Sequence, residues 1–220
     1  MIDVKACIFD LDGVVVDTAK YHYLAWKRLA SELGFEFHEK DNERLKGISR
    51  LDSLNILLEI GGIKLSAHEK ERLAAQKNLW YLEYIAKMKS DETLPGVRAF
   101  IEELKGNGVK IGLGSASKNA TLILNQLGIT HLFETIVDGT KVSRAKPDPE
   151  IFLLAAKDLK VTPRQCIVFE DAEAGIEAAV RGGFRSVGIG DPIILCSANI
   201  VVPNFIGMTM SKFFSLINQR

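Results

Sequence analysis

Short, largely apolar runs alternate along this chain with segments in which apolar residues recur every three or four positions. Residues 4–9, 109–113, 135–137, 165–169 and 186–189 are too brief for helices and largely β-branched or bulky, which predicts buried strands. Four amphipathic helices are predicted between them. Their apolar stripes are Val97, Phe100, Ile101 and Leu104; Ala120, Ile123, Leu124 and Leu127; Phe152, Ala155, Ala156 and Leu159; and Ala172, Ile176, Ala179 and Val180. Gly128 and Gly182-Gly183 stand where helix C-caps belong. Strands alternating with helices predict βαβ units, so the expected class is α/β, a Rossmann-like parallel sheet covered on both faces.

About a hundred residues separate the first two strands (Phe9 to Val109), and they carry helix patterns only. Residues 19–33 precede Gly34, Arg50–Ile60 precede Gly61-Gly62, and a third helix runs from 66 to about 88, with Ser66 and Glu69 spaced as a capping box. These helices bury little alone. The expected organisation is a core of 1–17 and 91–220 with a helical cap domain, 18–90, inserted into it and 91–96 as the return linker. Beyond Gly190 the chain offers no usable motif, although 208–217 patterns as a final helix.

Composition narrows the classes. The chain has 220 residues, 47% hydrophobic and 25% charged, as an ordered globular protein does. Lys and Arg (28) balance Asp and Glu (28), which leaves no overall electrostatic footprint for nucleic acid or an anionic membrane. No apolar run approaches the ~18 residues of a membrane span, and Met1-Ile2-Asp3-Val4-Lys5 lacks the basic-then-apolar pattern of a signal peptide. Cys7, Cys166 and Cys196 are odd in number, lie in apolar sequence and have no metal-ligand spacing. They are expected to be buried free thiols in a reducing compartment, hence in a cytoplasmic protein.

In parallel α/β sheets, ligands gather outside the carboxyl ends of the strands. Those ends carry Asp10 and Asp12-Gly13, then Gly114-Ser115-Ala116-Ser117-Lys118-Asn119, and Glu170-Asp171, with Lys146-Pro147 in the loop before a helix. Each alone has an ordinary explanation: an Asx turn, serines capping a helix, first-turn acids favouring a helix dipole, a solvated loop lysine. Together they make one crevice. Four carboxylates packed there cost several kcal/mol unless a cation neutralises them, and oxygen ligands without His or Cys point to Mg²⁺. One carboxylate then attacks phosphorus, a second moves the proton, and hydroxyl and ammonium donors spread the phosphoryl charge. The class deduced is Mg²⁺-dependent phosphoryl transfer.

Three features of the inserted helices bear on the substrate. His22 shares a stripe with Trp26, Leu29 and Leu33, where a histidine is more often a packing residue than a ligand. Residues 45–50, Leu-Lys-Gly-Ile-Ser-Arg, make a glycine turn with two cations before a helix, either a solvated loop or, through Arg50, a seat for a phosphate dianion. Lys77 falls among Leu73, Trp80, Tyr81, Tyr84 and Met88, so it either snorkels to solvent or faces the domain cleft.

The run Phe9-Asp10-Leu11-Asp12-Gly13-Val14, with Ser115, Lys146-Pro147 and Glu170-Asp171, resembles the motif set of the haloacid dehalogenase superfamily, over essentially the whole chain. The resemblance implies Asp10 as nucleophile and Asp12 as general acid/base. It implies that Ser115 and Lys146 hold the transferring phosphoryl group, and that Asp10, the Asp12 carbonyl, Glu170 and Asp171 bind one Mg²⁺. The segments 17–26, 45–50, 76–78 and 115–119 are similar to the β-phosphoglucomutase subgroup of that superfamily. That likeness implies isomerisation of β-D-glucose 1-phosphate to glucose 6-phosphate in carbohydrate metabolism, primed by glucose 1,6-bisphosphate. Arg50, Ser117, Lys118 and Asn119 would grip the phosphate that is not transferred, in a substrate-binding stretch that includes Ala116 and Lys46. His22, Trp26, Gly47, Ile48 and Lys77 would serve substrate binding or cap closure. The alternative within the superfamily is a sugar-phosphate phosphatase. The partner expected is a small sugar phosphate, with no nucleic acid or membrane, and the default state is a monomer, because the cap must move freely.

Overall fold

The computed structural model describes residues 3–45 and 48–218. Lys46 and Gly47, both expected on the substrate side, lie outside the described residues. The chain divides into two compact units, one of Met1–Asp17 with Ser90–Arg220 and one of Thr18–Lys89. Ser90, expected to end the cap, groups instead with the sheet unit, where it opens a short 3-10 turn, Ser90–Glu92.

Strand β1, Ala6–Phe9, is buried at all four positions. The second unit follows as helices α1 (Ala19–Glu32), α2 (Glu39–Asn42), α3 (Arg50–Ile60) and α4 (Ala67–Ile85). Ser66 Oγ accepts from Glu69 N–H at 3.4 Å while the Glu69 carboxylate accepts from Ser66 N–H at 2.9 Å, the reciprocal cap the spacing predicts. In α1 the buried face is Ala25, Trp26, Leu29 and Ala30, and in α4 it includes Leu73, Ala74, Trp80, Tyr81 and Ile85. Helices of this kind bury little singly, so this mutual packing supplies most of their stability.

The chain returns to the sheet unit through α5 (Val97–Gly106), β2 (Lys110–Gly114), α6 (Ala120–Gln126), β3 (Thr135–Val137), α7 (Glu150–Asp158), β4 (Cys166–Glu170), α8 (Glu173–Arg181), β5 (Arg185–Ile189), β6 (Ile200–Val202) and α9 (Met210–Asn218). The outgoing and returning segments are tied inside this unit: Val16 bridges Thr93, and Leu94 N–H donates to Val15 O at 2.9 Å.

The six strands are parallel in the order β3-β2-β1-β4-β5-β6, the doubly wound order in which the connections reverse direction beside β1. Alternation along the strands sends their side chains to two faces. On one, Ala6, Ile8, Cys166 and Val168 pack against Phe152, Ala155 and Ala156 of α7 and Ala178 and Ala179 of α8. On the other, the Phe9 and Phe169 rings stack at 4.5 Å, with Phe100 of α5 and Phe213 of α9 edge-on or tilted around them.

Two expectations are corrected. The stretch after Gly190 contains an edge strand, β6, that pattern reading passes over, because three residues closed by Asn199 and Pro203 carry no measurable periodicity. Its stability comes from pairing with β5, not from its own sequence. Cys196 is exposed, unlike Cys7 and Cys166, because it sits in the irregular loop after β5 and not in a strand. Burial pushes the Cys166 thiol up to about 12 and Cys7 higher still, so both are inert. Among the described residues no helix is long and apolar enough to cross a membrane.

Candidate active site

Asp10 directly follows β1 at the middle of the sheet, and its N–H donates to Phe169 O at 2.9 Å, which continues the ladder toward β4. Glu170 is the last residue of β4, and its Oε2 accepts from Ala172 N–H at 2.9 Å. Lys146 reaches in from the loop ahead of α7. Its Nζ donates to Asp10 Oδ1 and to Glu170 Oε1, each at 2.5 Å, and stands 4.8 Å from the Phe152 ring centroid. All three groups are buried, with exposures of 6%, 1% and 6% for Asp10, Glu170 and Lys146.

Asp171 completes a set of three carboxylates, Asp10, Glu170 and Asp171, whose nearest oxygens all lie within 4.8 Å of one another. Two glycines make that crowding possible. A Cβ on Gly13 would stand 1.9 Å from Asp171 Oδ2, and one on Gly175 would stand 1.8 Å from Glu170 Oε1. Gly13 also adopts φ +78°, a left-handed conformation that glycine takes at no steric cost. No local pattern marks Gly175, because what requires it is a carboxylate from β4 that approaches the helix backbone.

The electrostatics are those of an unbalanced acidic site. Burial, reinforced by Glu170 and Asp12 against the pull of Lys146, raises the Asp10 carboxyl to about 7. Burial, reinforced by Glu170, Asp10 and Asp12, raises Asp171 to about 9. Burial alone would lower Lys146, but the ion pairs with Asp10 and Glu170 outweigh it and hold its proton above the ordinary lysine value. With all three carboxylates ionised, as a bound cation would hold them, one ammonium leaves two negative charges, which one divalent cation balances. An all-oxygen donor set suits a hard cation such as Mg²⁺, so these residues fit the ion. The Asp12 side chain is not one of the group of three, and its charge raises both Asp10 and Asp171. Adding millimolar Mg²⁺ to chelator-treated protein is therefore expected to raise the melting temperature by several degrees, about 1–3 kcal/mol of binding linkage. Differential scanning calorimetry with and without EDTA checks this.

The remaining sheet-unit residues singled out in the sequence line the loop after β2. Ser115 is buried and its N–H donates to Val137 O at 3.0 Å. Its Oγ accepts from Ser117 N–H at 3.1 Å, which leaves the hydroxyl hydrogen to donate, and Ser117 Oγ accepts from Asn119 N–H at 3.2 Å. The serines thus shape their own loop and do not cap α6, whose N-cap is Asn119. Ala116, Ser117 and Asn119 are half-buried and Lys118 is exposed.

Within the helical unit, His22, Trp26 and Lys77 come together. Lys77 Nζ lies 2.8 Å from His22 Nδ1, 4.3 Å from the Trp26 ring centroid and 4.8 Å from that of Tyr81. At 1% exposure Lys77 does not snorkel. Burial, Lys77 and Arg50 keep His22 well below the ordinary imidazole value, so the ring is neutral and Nδ1 accepts. Arg50 is the first residue of α3, whose N-cap Ser49 Oγ accepts from Asp52 N–H at 3.3 Å, and Ile48 is half-buried just ahead of it.

A sheet ending in a nucleophile-competent aspartate, a buried lysine and a three-carboxylate cluster defines a class. The family model for haloacid dehalogenase-like hydrolases matches residues 4–183, and the chain belongs to that family. A β-phosphoglucomutase of Bacillus subtilis is 45% identical over 208 residues, 94% of this chain and 92% of that protein. The solved β-phosphoglucomutase of Clostridium difficile matches with a TM-score of 0.93 at 45% identity, covering 98% of each chain. A phosphorylated carbohydrates phosphatase of Thermotoga maritima is 33% identical, covering 83% of each.

Proposed function

We propose that this chain isomerises β-D-glucose 1-phosphate to glucose 6-phosphate through an aspartyl-phosphate on Asp10 and a β-glucose 1,6-bisphosphate intermediate. The observation that carries the reading is 45% identity across 94% of the chain to a β-phosphoglucomutase, against 33% to a phosphatase, on a site whose carboxylate and ammonium groups suit phosphoryl transfer. Glucose 1,6-bisphosphate primes the enzyme by phosphorylating Asp10.

Asp10 then hands its phosphoryl group to the C6 hydroxyl of glucose 1-phosphate while Asp12 takes the hydroxyl proton. The bisphosphate turns over, Asp10 takes the phosphate from C1, and Asp12 returns the proton to the departing oxygen. Lys146 and the Ser115 hydroxyl donate to the transferring group and spread its charge. Asp10, the Asp12 carbonyl, Glu170 and Asp171 would hold one Mg²⁺. When bound, that ion supplies the positive charge that keeps the carboxylates ionised and offsets the phosphoryl oxygens. Ser117, Lys118, Asn119 and Arg50 hold the other phosphate, and His22, Trp26, Lys46, Gly47, Ile48 and Lys77 belong to the substrate side. The unit of 18–89 acts as the cap that keeps water from the aspartyl-phosphate. The reading carries with it a monomer working on sugar phosphates in the cytoplasm.

Turnover of β-glucose 1-phosphate with Mg²⁺ and a trace of glucose 1,6-bisphosphate tests it, with glucose 6-phosphate and free phosphate followed together. Rapid glucose 6-phosphate with little free phosphate is expected. Stoichiometric free phosphate would replace the mutase with the sugar-phosphate phosphatase that the Thermotoga relative represents.

A further inference from the structure

We infer that the turn after β3, Asp138-Gly139-Thr140, is a positioning element that sets the backbone of the 116–119 loop and thereby the affinity for the phosphate that is not transferred. This rests on the reading of that loop given above. Asp138 is buried, and its Oδ1 accepts from Thr140 N–H at 2.9 Å and from Thr140 Oγ1 at 2.5 Å, closing a tight Asx turn. The turn lies directly on the loop: Gly139 N–H donates to Ser117 O at 3.3 Å. A Cβ on Gly139 would stand 2.3 Å from Ala116 O, 3.1 Å from Ala116 C and 3.2 Å from Lys118 Cγ.

Gly139 does not have a positive φ, so its backbone conformation suits any residue. The close approach to Ala116 is what requires glycine here. A methyl group would force that contact from 2.3 Å to beyond 3.0 Å, and the partner is backbone, which cannot rotate away as a side chain would. The displaced residues are Ala116 to Lys118, while Asp10 follows β1, Glu170 ends β4 and Lys146 lies six residues beyond the turn, each with its own hydrogen bonds.

The test is Gly139→Ala, assayed two ways on the full chain with Mg²⁺. Isomerisation of β-glucose 1-phosphate reads both phosphate sites. Phosphorylation of Asp10 by acetyl phosphate, in which the carboxylate bonds to phosphorus and acetate leaves, reads only the transfer site. A KM for glucose 1-phosphate raised about 10–100-fold, with kcat and acetyl phosphate reactivity within about twofold of wild type, is expected from a loop misplaced by under an ångström. Thr140→Val removes one hydrogen bond of the turn without adding volume, should raise KM about 3–10-fold, and serves if the alanine variant folds poorly. Gly106→Ala is the control, because nothing lies within 4 Å of its Cβ position. Unchanged KM in both turn variants overturns the inference, as does equal loss in the two assays, since the turn would then support the whole site. Wild-type protein that fails to isomerise glucose 1-phosphate instead sinks the reading on which the inference stands.

Discussion

Asp10→Asn is expected to abolish turnover, lowering kcat by about 10⁴-fold or more, the scale of losing a covalent nucleophile, while leaving the fold intact. Asparagine is nearly the same shape but cannot form the acyl-phosphate bond. The structure adds a second expectation that separates this loss from damage. Asp10 is one of three carboxylates crowded within 4.8 Å and its carboxyl is already pushed up to about 7 by burial and its neighbours. Replacing it with a neutral amide relieves that repulsion, and Lys146 keeps its contact with Glu170. Thermal unfolding in EDTA should therefore show a melting temperature equal to or above wild type, and the rise produced by Mg²⁺ should shrink because one oxygen ligand is gone. A variant that is inactive and also markedly less stable would mean that Asp10 is chiefly a structural partner of Lys146.

Lys146→Met is expected to be inactive and unstable at once. Among the described residues its ammonium is the one positive group that touches both Asp10 and Glu170, at 2.5 Å each, and it is 6% exposed. Removing one member of a buried, hydrogen-bonded ion pair leaves uncompensated charge in a dry site and costs about 3–5 kcal/mol. Urea unfolding in EDTA measures that loss. Mg²⁺ should recover part of it, because a divalent cation at the same carboxylates substitutes for the missing charge, while turnover should not return. Full stability in EDTA would mean that the acids are neutral without the lysine.

The strands carrying Asp10, Ser115 and Glu170 were legible because fully buried strands of a parallel sheet are near-continuous apolar runs, and a charged residue closing such a run marks its carboxyl end. The capping box at Ser66 and Glu69 was legible because it is local, spanning three residues. The edge strand Ile200–Val202 was not, since its partner β5 is what makes it a strand, and neither was the exposure of Cys196: burial is set by where a loop runs, not by its neighbours in sequence.

The candidate site follows the same division. Residue type and strand-end position were enough to single out Asp10, Asp12, Ser115, Lys146, Glu170 and Asp171 as candidates for one crevice, and the structure brings Asp10, Lys146, Glu170 and Asp171 together. Spacing left His22 and Lys77 ambiguous, and only the packing of α1 on α4 puts the lysine amine 2.8 Å from the imidazole and between two aromatic rings. The reasons for Gly175 and Gly139 were invisible until the chain was folded. A glycine that exists to admit a carboxylate from β4, or a carbonyl from the loop after β2, answers to an atom far away in sequence. Local hydrophobic period and strand-end chemistry are properties of consecutive residues, so the chain itself dictates the α/β order and the kind of reaction. Charge balance, burial and close approach are properties of distances across the fold, and those arise only when the tertiary structure brings separate segments together.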